Sequence, residues 1–146
     1  MEDLIEMLKR HEGEVVTNGR HVLYKCSAGY WTLGIGRNVD VNGGLGLSDE
    51  EVDFLLENDI ARVIKELSLE YSWFNDLDDV RRDAMIDISF NLGATKLRKF
   101  VLALDAMEKA DYKSASEEFL DSDCSRTDKG RSIELAKMIA TGEYSE

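Results

Sequence analysis

The sequence predicts an α+β protein: a short antiparallel β region set between an N-terminal helix and an all-helical remainder. Three observations carry this. Between Val15 and Ile35, short β-prone pieces are separated by Asn18-Gly19 and Ser27-Ala28-Gly29, and Asn-Gly is the strongest short-range hairpin signal. From Ser48 onward apolar residues recur at helical spacing, and the chain contains no proline to interrupt them. The length, 146 residues, suits one domain or two small lobes sharing a core.

The elements follow in order. Leu4, Ile5, Leu8 and His11 share one face of a helix expected over Asp3 to Glu12, and Gly13 supplies its stop. Val15-Val16-Thr17, His21-Val22-Leu23-Tyr24 and Tyr30-Trp31-Thr32-Leu33 are the expected strands of one small antiparallel sheet. Gly43, Gly44 and Gly46 read as a flexible loop. Ser48-Asp49-Glu50-Glu51 is a capping box, with Ser followed three residues later by Glu. Behind it Val52, Leu55, Leu56, Ile60, Val63, Ile64 and Leu67 form one apolar stripe. Further helices are expected from Asp78 to Asn91 with a stop at Gly93, through Leu97, Phe100, Val101, Leu104 and Met107, through Tyr112, Ala115 and Phe119, and through Ile133 to Ile139 with an end at Gly142. The layout is a β-containing lobe at about 13–47, a linking helix at about 48–67, and a helical lobe at about 68–146 to which the N-terminal helix belongs. A cleft between two such lobes is the expected place for a polymer substrate.

Composition narrows the function. A formal net charge of −12 argues against nucleic acid, since phosphate binding needs clustered Lys and Arg. No apolar run approaches the roughly 18 residues that span a bilayer, so no membrane insertion is expected. The start, Met1-Glu2-Asp3-Leu4-Ile5-Glu6, is acidic where an export signal is basic and then apolar, so cytoplasmic synthesis without an export signal is expected. Cys26 and Cys124 match no metal or CxxC pattern, and free thiols are expected in a reducing compartment, with Cys124 structural. Gly34-Ile35-Gly36 lacks the third glycine and following helix of a dinucleotide site. His11 and His21 lack metal-ligand spacing and read as surface residues. Asp78-Asp79 and Asp121-Ser122-Asp123 offer too few oxygens for a calcium loop.

Glu12 ends a helix, where the negative end of the macrodipole favours a protonated carboxyl, as a proton donor requires. By itself that position also fits an ordinary solvated helix end.

The surrounding segments carry more. Leu8-Lys9-Arg10-His11-Glu12-Gly13, Tyr24-Lys25-Cys26 and Gly29-Tyr30-Trp31-Thr32-Leu33-Gly34-Ile35-Gly36 closely resemble the phage-type (T4-like) lysozyme family. So do Leu77-Asp78-Asp79-Val80-Arg81-Arg82-Asp83-Ala84, Ser89-Phe90-Asn91-Leu92-Gly93, Arg131 and Thr141-Gly142. The resemblance implies a lysozyme-like α+β fold and hydrolysis of the β-1,4 bond between N-acetylmuramic acid and N-acetylglucosamine in bacterial peptidoglycan, without cofactor or metal. It implies a catalytic Glu, Asp and Thr, with the Thr six positions after the Asp. Glu12 and Thr32 match; Cys26 stands where the Asp is expected. The Glu12-to-Cys26 spacing is longer than the family's, which places extra residues around Thr17 to His21. Phe90, Arg131 and Tyr30 are the expected substrate-contacting residues, with Arg131 at the position of an arginine that pairs with the catalytic Glu. Gly34 and Gly36 would let the chain approach a bulky sugar.

A thiol is only a few per cent ionised at neutral pH unless its surroundings lower its pKa. Cys26 could position or deprotonate water, attack the sugar directly, or simply pack as a small hydrophobe. Three readings follow: an active muramidase, a peptidoglycan-binding protein that lost turnover when Cys replaced Asp, and a transglycosylase leaving an anhydro sugar. Retention of both Glu12 and Thr32 favours hydrolysis. An endolysin of this kind is expected to be a monomer that reaches the wall through a pore made by a separate protein. The acidic chain is expected to need moderate or high ionic strength against an anionic wall, since repulsion is screened beyond about 8 Å at physiological salt.

Overall fold

The structure, a computed structural model, describes residues 1–121 and 129–144, so Cys124 and the last two residues of Asp121-Ser122-Asp123 lie outside the described residues. Seven α-helices and five short strands are present among them, and the chain divides into two compact units, Met1–Phe54 and Leu55–Glu146. The α+β class expected from the sequence is the one observed.

The first unit is made of turns whose geometry the sequence dictates. Asp3 caps α1 (Leu4–Glu12), its Oδ1 accepting the Glu6 N–H at 2.9 Å. Gly13 ends the helix at φ +71°, donating its N–H to the Lys9 carbonyl. Strands β1 (Val16–Thr17) and β2 (Arg20–His21) pair antiparallel around Asn18 and Gly19, both at positive φ (51° and 76°). That is the two-residue hairpin that Asn-Gly encodes. Strands β3 (Tyr24–Lys25), β4 (Trp31–Leu33) and β5 (Arg37–Asn38) form a second, separate sheet in that order, with Tyr24 opposite Thr32 and Leu33 opposite Arg37.

Two expectations change here. The strand read over His21 to Tyr24 is divided, because β2 pairs with β1 and β3 with β4; the chain changes sheets at Val22-Leu23. β5 escaped the sequence reading, since two polar residues carry no alternation to detect.

The glycine-rich loop after β5 is wired by hydrogen bonds. Asp40 accepts the Trp31 N–H through Oδ2 and the Asn42 N–H through Oδ1, each at 2.9 Å, while Asn38 Oδ1 accepts the Asp40 N–H at 2.9 Å. These bonds hold the Asp40 carboxyl below its ordinary pKa, the Trp31 amide contributing most. Gly44 is needed for space: a Cβ there would lie 2.5 Å from the Asp40 carbonyl and 2.6 Å from Asn38 Oδ1. The loop delivers the chain to α2 (Asp49–Glu70), whose capping box forms in both directions, Ser48 N–H to Glu51 Oε1 at 2.9 Å and Glu51 N–H to Ser48 Oγ at 3.1 Å. Arg37 Nη1 adds a 2.7 Å bond to Glu51 Oε1 and one of 3.2 Å to the Gly46 carbonyl. The Ser48 amide and then Arg37 lower the Glu51 pKa to about 2.

The second unit encloses a continuous apolar core. The apolar stripe of α2 is fully buried only in its C-terminal half, at Val63 and Leu67. After a 3-10 turn at Phe74–Asp76 follow α3 (Asp79–Leu92), α4 (Ala94–Leu97), α5 (Val101–Glu108), α6 (Tyr112–Leu120) and α7 (Lys129–Thr141). Asp78 caps α3 through the Arg81 N–H at 3.1 Å, and Gly93 ends it at φ +83°. The continuous helix expected from Leu97 to Met107 is broken: Phe100 leaves helical geometry (φ −86°, ψ 57°), and its ring meets Phe119 edge-on at 6.0 Å. Phe74, Met85, Leu97, Met107 and Ile139 are fully enclosed. Burying one such side chain is worth about 1.5–3 kcal/mol. Arg81 ties the ends together, donating to the Ile139 carbonyl at 2.6 Å and the Ala140 carbonyl at 3.2 Å while stacking 3.8 Å above the Tyr112 ring.

Candidate active site

Cys26, Tyr30 and Thr32 come together at the β3–β4 turn. The Tyr30 carbonyl accepts both the Cys26 N–H (3.0 Å) and the Thr32 hydroxyl (2.9 Å), and Gly29 N–H closes the turn on the Cys26 carbonyl at 2.8 Å. The Cys26 thiol lies half-buried and its pKa is lowered. The Tyr30 N–H is the main cause and the Ala28 N–H the next; partial desolvation opposes them, and the Thr32 hydroxyl and Gly29 N–H add smaller contributions. Donors aimed at sulfur stabilise thiolate over thiol. Thr32 has one hydroxyl hydrogen, so it serves either the Tyr30 carbonyl or the sulfur at a given moment. Its side chain faces inward, and the residue is only 3% exposed. Trp31, alternating to the opposite face, lies under Lys25 Nζ at 5.1 Å from the ring centroid.

Glu12 is the last residue of α1 and exposed, and within this unit its carboxyl forms no ion pair. It rests against the β4–β5 turn: a Cβ built at Gly36 would lie 2.7 Å from Glu12 Oε2. The first unit therefore brings Glu12 to one end of β4, at Gly36, and Cys26 to the other, at the turn that precedes Trp31.

The second unit carries the two remaining expected residues. Phe90 is 42% exposed on α3. Arg131, on α7, donates through Nε to Asp87 Oδ1 at 2.7 Å, with Nη2 2.5 Å from the same oxygen. Asp87 and Phe90 lie three residues apart on α3, so they share a face. The sequence reading missed Asp87, which carries no motif of its own. It also missed Asp40, although alternating Asn38, Asp40 and Asn42 before two glycines is a side-chain-to-backbone turn signature. Among the described residues no group of three or more His, Cys, Asp or Glu is placed to hold a metal ion.

Within the first unit an exposed carboxyl at a helix end thus meets the β4–β5 turn, while Cys26, its thiol pKa lowered, and the buried Thr32 on β4 share one backbone carbonyl at the β3–β4 turn. The phage lysozyme family model matches residues 10–135. The chain is 33% identical over 114 residues to an endolysin of Acyrthosiphon pisum secondary endosymbiont phage 1, covering 78% of this chain and 73% of the relative. It is 24% identical over 163 residues to probable T4-type lysozyme 1 of Dictyostelium discoideum (94% of this chain, 93% of the relative). With probable T4-type lysozyme 2 of the same organism the identity is 27% over 169 residues, covering 98% and 96%. The chain belongs to the phage lysozyme family, and so to the lysozyme-like glycosidases that hydrolyse peptidoglycan.

Proposed function

We propose that this protein is a muramidase that hydrolyses the β-1,4 bond between N-acetylmuramic acid and N-acetylglucosamine by single displacement, with Glu12 as general acid and Cys26 and Thr32 holding the water. The observation that carries it is the β3–β4 turn, where the Tyr30 carbonyl accepts both the Cys26 N–H at 3.0 Å and the Thr32 hydroxyl at 2.9 Å and so holds the two residues together. As the water oxygen bonds to the anomeric carbon, its proton passes to the Cys26 thiolate. The glycosidic C–O bond breaks, and its oxygen takes the proton of Glu12. Tyr30 (40% exposed), Phe90 and Arg131 are the proposed substrate contacts, with Asp87 fixing the Arg131 guanidinium.

The match to a phage endolysin supports a role in host lysis. In that role the enzyme is a monomer made in the host cytoplasm, and it reaches the wall after a separate pore-forming protein opens the membrane. Among the described residues no helix is long and apolar enough to cross a membrane.

The test is release of reducing ends from purified peptidoglycan by the wild type, Glu12→Gln, Cys26→Ala and Cys26→Asp at low and moderate salt. Glu12→Gln is expected to lower turnover by about 10²–10⁴-fold, Cys26→Ala to lower it, and Cys26→Asp to retain it. Added salt is expected to raise activity, given the charge of −12. A wild type that binds the polymer but releases no reducing ends at any salt overturns the reading in favour of a binding protein. Products one water lighter than the hydrolytic ones identify a transglycosylase.

A further inference from the structure

We infer that Gly36 is a positioning residue for Glu12: the absent side chain at 36 is the seat in which the acid's carboxyl rests. This deepens the muramidase reading and rests on the role given to Glu12 there. A Cβ at Gly36 would lie 2.7 Å from Glu12 Oε2, 3.0 Å from Cδ and 3.3 Å from Cγ, so the side chain lies across Gly36 along its length and not only at its tip. The backbone of each partner is anchored. Glu12 is fixed at the end of α1 by the Gly13 turn. Gly36 is followed by Arg37, which is paired with Leu33 in the ladder and anchored to Glu51 at 2.7 Å and to the Gly46 carbonyl at 3.2 Å. The capping box of α2 thus braces the seat, and the glycosidic acid depends on a contact between helix end and turn.

Two properties of Gly36 separate readily. Its φ of +73° disfavours any Cβ, and Gly19 shares that property at +76° with nothing within 4 Å. Gly34, in the same turn at +64°, also faces open space. Among the three, only Gly36 combines the positive φ with a carboxyl in the way. Because the obstructing group is a rotatable side chain, Gly36→Ala is relieved by swinging Glu12 aside. The fold survives and the acid leaves its post. A displacement on the order of 1 Å in a catalytic group costs about 10²-fold in rate.

The experiment compares Gly36→Ala, Gly34→Ala and Gly19→Ala in the full chain, reading the thermal midpoint, kcat and KM on soluble peptidoglycan fragments, and the ¹³C carboxyl shift of Glu12. Gly36→Ala and Gly19→Ala are expected to lower the midpoint by similar amounts. Gly36→Ala alone is expected to lose kcat by about 10²-fold with KM little changed, and to move the Glu12 carboxyl resonance. Gly34→Ala is expected to lose less kcat and to leave that resonance in place. Equal kcat losses at 34 and 36, or a rise in KM with kcat preserved, would mean that Gly36 serves backbone shape or sugar access, and the inference falls. A wild type without turnover removes the muramidase reading instead; the carboxyl shift still decides whether the seat exists.

Discussion

In the second unit the described buried hydrophobic residues, Ala136 apart, join one enclosed core from Val63 to Ile139, and Phe74, Ala84, Met85, Ala115 and Ile139 are sealed from solvent. In the first unit the one buried residue is Thr32, a polar side chain, and no strand is longer than three residues. Its shape is held by the Asn18-Gly19 hairpin, the Asp40 carboxylate, the capping box at Ser48 and Glu51, and Arg37. Hydrophobic burial is non-directional and adds with area, whereas hydrogen bonds in exposed turns fix direction and contribute little net stability each. The unit that holds Glu12, Cys26 and Thr32 is therefore specified in geometry more than in stability. Elements of that kind open locally before the global transition.

The largest effect that sharpens this contrast is expected in the core. Phe74→Ala removes a fully enclosed ring and should cost about 3–5 kcal/mol, read as a fall in the urea midpoint with the slope unchanged. A loss under about 1 kcal/mol would mean that the second unit is not core-limited. Next comes Arg81→Met. It keeps much of the stem but strips the donors from the Ile139 and Ala140 carbonyls, for about 1–3 kcal/mol by the same measurement. An unchanged midpoint would show that water replaces the guanidinium at the end of α7.

The smallest effect tests the first unit's hydrogen-bonded scaffold by pH. The folded pKa of Glu51 is depressed to about 2, so its contribution is complete above the ordinary glutamate value near 4.5 and is lost as pH falls toward 2. Amide exchange at Ser48 and Trp31, measured against Glu51→Gln, is expected to differ at about pH 6 and to converge toward about pH 2. Curves that stay parallel across that window would show that the ionised Glu51 does not brace the loop.

Much of this was legible in the residues. Asn18-Gly19 gave its hairpin, Ser48 and Glu51 their reciprocal cap, and Gly13 and Gly93 their helix ends, because each depends on backbone conformations within four residues of itself. The break at Arg98–Phe100 was not legible, because Phe100 continues the helical spacing while in the structure it leaves helical geometry and meets Phe119 edge-on. Nor was the division of the β region into two sheets, since a strand's partner is not encoded in the strand.

The same boundary runs through the candidate site. Glu12, Cys26 and Thr32 entered the candidate site through family-like motifs and, for Cys26 and Thr32, through a spacing of six, which local sequence preserves. Three things belong to the tertiary structure: the pairing of Arg131 with Asp87, the anchoring of β4 by Asp40, and the contact of Glu12 with Gly36. Each joins atoms whose nearness is set by how turns and helices fold back on one another. Periodicity and propensity describe a residue's neighbours along the chain, while the chemistry of a site depends on its neighbours in space.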